Sequence, residues 1–316
     1  MKLTAPQYLY DDTTVSEDIL SLLLDRRRGL PDEPVRRGPA VLAASTQFKQ
    51  IMDFVRHGQP IEMTLPAFPC KSPSPAKVAG VLPDEGERLA LIELDELCRR
   101  IGDLYPPGAL VTICSDGHVF GDHIGVDDDT ITDYHTELHS MITTHDLQHL
   151  AIFDLHSLWP GLSFADKRAL LDALWCEPPA VLRARAHTDR AVSRLVAGMS
   201  KFLFEDAPGL PGETRSQRQK NAKRRAYHVI SRSQGWGKVV SAYFPQHLRL
   251  SIHPQPWGAE KLGMRLLRHA DTWTTPWHSV VLYSTDGRPH LVRHDEARTR
   301  GIAQIRAGRL THYTAG

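Results

Sequence analysis

Apolar positions along this chain switch repeatedly between the 3.6-residue period of a helix and the short runs of a strand. Thr14 and Glu17 stand at capping-box spacing before Ile19, Leu20, Leu23 and Leu24, which predicts a helix closing near Gly29. Residues 26–39, basic and rich in Pro and Gly, read as an exposed linker. A second helix is predicted over 46–55. Ile61, Met63 and Leu65 then alternate as a strand, which the prolines from Pro66 onward stop, leaving Lys71 just past its carboxyl end. Asp84 with Glu87 three residues on opens a helix whose Leu89, Ile92, Leu97 and Ile101 face inward. The continuous apolar run 109–114 predicts a strand covered on both faces, and Asp116 and Gly117 make a tight turn after it. A helix over 131–142, a buried strand over 149–154 and a helix over 163–174 continue the alternation.

Helix and strand alternating in this way predict an α/β sheet layered between helices. The last third changes character. After a basic helix come strand candidates at 248–252, 264–267 and 279–283, the last joined through Asp286 and Gly287 to 290–293. Asp-Gly between two apolar runs is a hairpin signal, so an antiparallel pair is expected on the edge of a mixed sheet. Residues 1–44 are read as an N-terminal helix and linker, and 45–316 as one α/β domain.

Composition adds limits. The 316 residues are 41% hydrophobic and 24% charged, ordinary for a globular chain long enough to build a large core. Cys70, Cys98, Cys114 and Cys176 form no CxxC pair, which argues against a zinc ribbon or a secreted disulfide framework and favours the cytoplasm. No apolar stretch reaches the about 18 residues of a membrane span. The net charge of +1 is a cancellation: residues 101–166 hold eleven acidic side chains and no Lys or Arg, whereas 213–232 holds seven Lys and Arg against one Glu.

Ligands of open α/β sheets collect beyond the carboxyl ends of the strands. That rule selects Lys71, Asp116, Asp154, and His253 with Gln255. Asp116, His118 and Asp122 share one turn. Seven of the 17 histidines lie in the acidic window, and His135 and His139 are four apart on a predicted helix, although their spacing places no carboxylate as HExxH does. Surface exposure of both is the expectation, and no metal is expected. His253, Lys261, Trp273, Trp277 and His278 bring imidazole, amine and indole within about 30 residues, a set suited to proton transfer or to a Schiff base.

Eight motifs in this order resemble one family: Phe68-Pro-Cys-Lys71-Ser-Pro, Leu82-Pro-Asp84, the run from Cys114 to Asp122, Lys201-Phe-Leu-Phe-Glu-Asp206, Arg232-Ser233, Leu250-Ser-Ile-His253-Pro-Gln255, Lys261-Leu-Gly263 and Thr275-Pro-Trp277-His278. The chain thus resembles, from about residue 45 to Tyr313, the isocyanide (isonitrile) synthases, which include pyoverdine-chromophore and yeast dityrosine biosynthesis proteins. The resemblance implies a Rossmann-like fold. It also implies a carbon–carbon lyase that converts the α-amino group of an amino acid, tyrosine or tryptophan foremost, into an isocyanide, with ribulose 5-phosphate as carbon donor. No metal or organic cofactor is implied, and an iron(II)/2-oxoglutarate oxygenase would act on the product.

On that reading His253 and His278 serve as acid/base groups and Lys261 as proton donor or electrostatic stabiliser. Asp116 or Asp122 orients the amine. Lys71, Lys220 and Arg232 bind the sugar phosphate or the carboxylate, Gln255 lines the pocket, and Trp277 stacks on the aromatic substrate. Gln234-Gly-Trp236-Gly237 stands where the family has Ala-Trp-Ser, which bears on the acceptor amino acid. Two other readings compete: a Schiff-base aldolase-like lyase with another amine acceptor, and a nucleic-acid-binding protein gripping phosphates through 215–225, a stretch without interleaved aromatics.

Overall fold

The computed structural model describes residues 11–33, 45–207, 212–268 and 274–316. Helices α1 (Asp12–Leu24) and α2 (Thr46–His57) precede a sheet of five parallel strands: β1 (Ile61–Leu65), β2 (Ala109–Cys114), β3 (Leu150–Phe153), β4 (Leu248–Ser251) and β5 (Leu262–Gly263). Parallel neighbours need a crossover through a covering layer. Helix α3 (Glu85–Leu104) provides it between β1 and β2, and α4 (Gly117–Ile124) with α5 (Asp128–Thr144) between β2 and β3. Four more helices, α6 (Phe164–Leu174), α7 (Pro179–Thr188), α8 (Arg190–Asp206) and α9 (Arg215–Tyr243), lie between β3 and β4. The spatial order β3-β2-β1-β4-β5 reverses direction between β1 and β4, the place where such sheets open a crevice.

Local chemistry fixes these elements. Asp84 and Glu87 form the reciprocal capping box predicted for α3, and Thr214 with Gln217 forms a second at α9. Ile19, Leu20 and Leu23 of α1 join Ile51 and Phe54 of α2, Leu91 and Leu94 of α3, and Ile61, Met63 and Leu65 of β1 in one buried core. A second cluster joins Cys114, Leu155 and Leu171 to Trp236, Val239 and Val240 of α9, whose basic first half stays largely exposed.

Several expectations need correction. Helix α1 starts at Asp12 and ends at Leu24, well before Gly29. The segment after it is exposed only in part: Arg26 is 2% exposed and pairs with Glu93 at 2.8 Å, and Arg27 bridges antiparallel to Met264, whereas Leu30, Pro31 and Asp32 are exposed. Residues 34–39 of that segment lie outside the described residues. The turn after β2 winds into α4. On β2 itself Leu110 is exposed, so its first residues are not covered on both faces. The predicted hairpin exists as β6 (Val280–Tyr283) and β7 (Pro289–Val292), but it belongs to a separate four-stranded sheet, not to an edge of the first. There α10 (His294–Arg300) leads to β8 (Gly301–Arg306) and β9 (Arg309–Ala315), in the order β7-β6-β9-β8. The parallel sheet cannot take the hairpin at β5, because Arg27 closes that edge. Among the described residues no helix is long and apolar enough to cross a membrane.

Close approach at one glycine sets the spacing between the exits of β1 and β2. A Cβ on Gly117 would lie 2.0 Å from the Pro69 carbonyl oxygen and 2.9 Å from Ile131 Cγ2. Gly117→Ala is therefore expected to cost at least about 1–3 kcal/mol in urea unfolding, the range for forced overpacking. A loss under about 0.5 kcal/mol would show that the loop after β1 does not press on α4.

Candidate active site

Beyond Leu65 the chain enters a buried loop. Phe68 sits there in the left-handed region, at φ 56°, and its ring packs 5.2 Å from Trp277. Lys71 follows, and its side chain is fully enclosed. Its ammonium group has three hydrogens and three partners: Asp84 at 2.8 Å, Glu87 at 2.8 Å and the Pro276 carbonyl at 3.0 Å. Tyr134 donates to Glu87 at 3.1 Å. Burial works against the Lys71 cation, but the two carboxylates outweigh it and raise its pKa. Burial pushes the Asp84 carboxyl up to about 7, against the pull of Lys71. Lys71 thus ties the loop after β1 to the start of α3 and to the segment before β6.

A more open group surrounds Cys70. Asp116, at the end of β2, and Asp206, at the end of α8, both act on the Cys70 thiol, which burial raises first of all. Asp206 pairs with Lys77, and its second oxygen lies 3.6 Å from His278 Nε2. His278 Nδ1 is held by the Thr275 hydroxyl at 2.8 Å, and Phe202 meets the ring edge-on. Burial would raise Asp206, but His278 and Lys77 hold it below the ordinary carboxylate range. Asp116 has no such partner among the described residues, and burial pushes it up to about 7. Two carboxyl groups with opposite tendencies near one thiol, one of them against an imidazole, make a group able to give and take protons near neutrality.

Behind Asp116 lies a second polar cluster. Ser115 Oγ donates to the Phe68 carbonyl at 2.7 Å and meets His135 Nε2 at 2.7 Å, while His135 Nδ1 faces Asp154 Oδ2 at 3.1 Å. Neighbouring His118 is held down at about 4 by burial and by His135. Contrary to expectation His135 is buried, and only His139 is exposed.

The other predicted residues are placed elsewhere. Asp122 and Arg232 pair with each other at 2.7 Å, and Arg232 also grips Asp172 through two nitrogens, joining α9 to α4 and α6. Trp277 is buried against Phe68, and Lys220 is exposed on α9. His253 follows β4 at the crevice. Gln255 binds back to the Ser251 hydroxyl at 3.3 Å. Burial, then the cations Arg28 and Lys261, lower the pKa of His253; burial and Arg249 lower that of Lys261. These form a cationic group after β4, apart from the carboxylates around Cys70. Trp273 lies outside the described residues. Lys77, Ser115 and His135 escaped the sequence reading as site residues; Asp206 closes a quoted motif and was given no role. The basic stretch 215–225 borders a groove of about 660 Å³ between α8 and α9, with Lys201, Arg215 and Lys223 around Phe204 and Tyr227.

One pH effect follows from the knot at Lys71. Because the folded value for Asp84 lies above that of an unfolded Asp, its stabilising contribution is complete below about pH 4 and is lost as pH rises through about 7. Asp84→Asn keeps the helix cap and removes the titration. The thermal midpoint of the native chain should fall further between about pH 5 and about pH 8 than that of the variant, by calorimetry. Equal slopes would mean that Asp84 is ionised throughout.

Comparison with known proteins places this arrangement. A family model described as pyoverdine/dityrosine biosynthesis protein matches residues 51–305. An L-tyrosine isonitrile synthase of Xenorhabdus nematophila is 40% identical over 92% of this chain and 88% of its own length. An L-tryptophan isonitrile synthase of Fischerella ambigua is 36% identical over 85% of each. The crystal structure of PvcA from Pseudomonas aeruginosa superposes with a TM-score of 0.87 at 35% identity, covering 96% of this chain and all of that one. A match of this extent, end to end over one fold, makes the chain a member of the pyoverdine/dityrosine biosynthesis family.

Proposed function

We propose that this protein is an isonitrile synthase: a carbon–carbon lyase that turns the α-amino group of tyrosine or tryptophan into an isocyanide, with ribulose 5-phosphate as carbon donor. The observation that carries the reading is the linked set Lys77, Asp206 and His278, which shares the Cys70 thiol with Asp116 at the end of β2. It occurs in a chain whose relatives over most of its length bear the names of tyrosine and tryptophan isonitrile synthases.

In the proposed chemistry the amine attacks the sugar ketone, water leaves to give an imine, and the two carbon–carbon bonds flanking that carbon break: one fragment leaves as an aldehyde in a retro-aldol step, the other takes a proton and leaves as an alcohol, and the carbon stays on nitrogen as the isocyanide. Each step needs a proton moved and developing charge held. His278, oriented by Thr275 and backed by Asp206, takes the acid/base role. Asp116 orients the amine. Lys77 supplies positive charge, and Lys71 holds the loop that carries Cys70 in place. His253 and Lys261 attract the phosphate end from the rim after β4. An iron(II)/2-oxoglutarate oxygenase is the proposed consumer of the product.

The test incubates the purified chain with ribulose 5-phosphate and each amino acid, reading the isocyanide by infrared absorption and mass. Product with tyrosine or tryptophan is expected; a folded protein giving none with any amino acid overturns the reading. His278→Gln should lower kcat by about 100-fold or more with the thermal midpoint unchanged. Lys261→Ala should instead raise KM for ribulose 5-phosphate with kcat within about threefold. The reverse pattern would transfer the acid/base role to Lys261.

A further inference from the structure

The cluster behind Asp116 has a proton problem. The Phe68 carbonyl can only accept, so the one hydrogen of Ser115 Oγ, 2.7 Å away, goes to it. His135 Nε2, 2.7 Å from the same oxygen, must therefore be the donor in that contact. The same logic applies to His118. Thr132 Oγ1 spends its hydrogen on the Asp128 carbonyl at 2.8 Å, so His118 Nε2, 3.1 Å from Thr132 Oγ1, donates as well. Both rings carry hydrogen on Nε2. His118 Nδ1 is then left buried with no hydrogen-bond partner among the described residues, in a residue only 2% exposed. His135 Nδ1 stands 3.1 Å from Asp154 Oδ2, a contact that needs either a proton or a shared cation between the two atoms.

We infer that His118, His135 and Asp154 bind a divalent transition-metal ion, with Zn²⁺ the natural occupant. A nitrogen of each histidine and a carboxylate oxygen of Asp154 already lie within 4.8 Å of one another. The 3.1 Å between His135 and Asp154 is close to the edge of a tetrahedron about 2.0 Å in radius, with His118 at the third corner and water left to fill the fourth. Each ring is oriented by a hydrogen bond from its far nitrogen, as metal-bound histidines are. Asp154 Oδ1 is likewise fixed, accepting from the Ser157 amide at 3.1 Å. The surroundings suit a cation. All three ligands lie in the window 101–166 that lacks Lys and Arg. Of the cations just beyond it, Arg168 is paired with Asp128 and bonded to the His118 carbonyl, while Lys167, whose charge also acts on Asp154, is turned to the carbonyls of Leu155 and His156. The ion would pin α4, α5 and the exit of β3 together behind Asp116. This is a structural place, independent of whether the proposed reaction is right.

The full chain, purified without chelator or immobilised metal, should hold about one equivalent of Zn²⁺ by elemental analysis. Stripping it should lower the thermal midpoint, and added Zn²⁺ should restore it. Co²⁺ in its place should give the intense visible bands of a four-coordinate ion. Asp154→Asn and His118→Gln should each weaken Zn²⁺ binding more than about tenfold, while His139→Gln, one turn along α5, leaves it unchanged. Should either variant fail to fold, the native chain decides through its Zn²⁺ stoichiometry and Co²⁺ spectrum. Less than about a tenth of an equivalent bound with no thermal shift overturns the inference in favour of a His135 imidazolium paired with Asp154. Equal binding by both variants overturns it by placing the ion elsewhere.

Discussion

A buried ammonium group governs the architecture of the site. Lys71 has left water completely, and a lone cation in such a place would cost several kcal/mol unless fully paired. Its partners come from two stretches apart from its own loop: the Asp84 and Glu87 carboxylates from the start of α3, and the Pro276 carbonyl from the turn before β6. Satisfying one charge therefore fixes three backbones at once. The loop between Leu65 and Lys71, with Phe68 in its left-handed conformation, is held open in the position where Cys70 faces Asp116 and Asp206.

Neighbouring layers serve the same end. Glu85, beside the cap of α3, accepts from the Tyr283 hydroxyl at 2.6 Å, and Arg309 reaches across to the Pro83 carbonyl at 2.9 Å. The second sheet thereby clasps the amino end of α3, the same end that holds Lys71. On the opposite side Arg232 draws α9 onto α4 and α6, which keeps Asp116 backed by packed helix. Charged residues here act mainly by joining elements, the role in which buried ion pairs are best explained.

Much of the fold was legible because local rules decided it. The capping box at Asp84, the alternation at Ile61, Met63 and Leu65, and the Asp-Gly turn before β7 each depend on neighbours a few residues away. The second sheet was not, since whether a hairpin joins one sheet or another depends on what covers the edge, here Arg27 against Met264, more than two hundred residues apart in sequence. The site divides in the same way. Asp116 and Lys71 stood out because they follow strands, although Lys71, read as a substrate grip, spends its hydrogens on Asp84, Glu87 and Pro276. Lys77 and Asp206 pair across 129 positions, and His135 needs Asp154 and Ser115 to become more than a surface imidazole. The cation Arg232, read as a substrate grip, is consumed by two aspartates that no local pattern couples to it.

The Pro276 carbonyl that completes the shell of Lys71 lies 205 residues downstream of it. A ribosome making this chain therefore exposes Lys71, Asp84 and Glu87 long before their third partner exists. During that interval the loop at Phe68 lacks the ring it packs against, since Trp277 follows Pro276. Long-range closure of this kind is slow, because the chain entropy is lost before the contact rewards it. Closure of the shell around Lys71 is thus deferred to a late stage of biosynthesis, when the segment before β6 has been made.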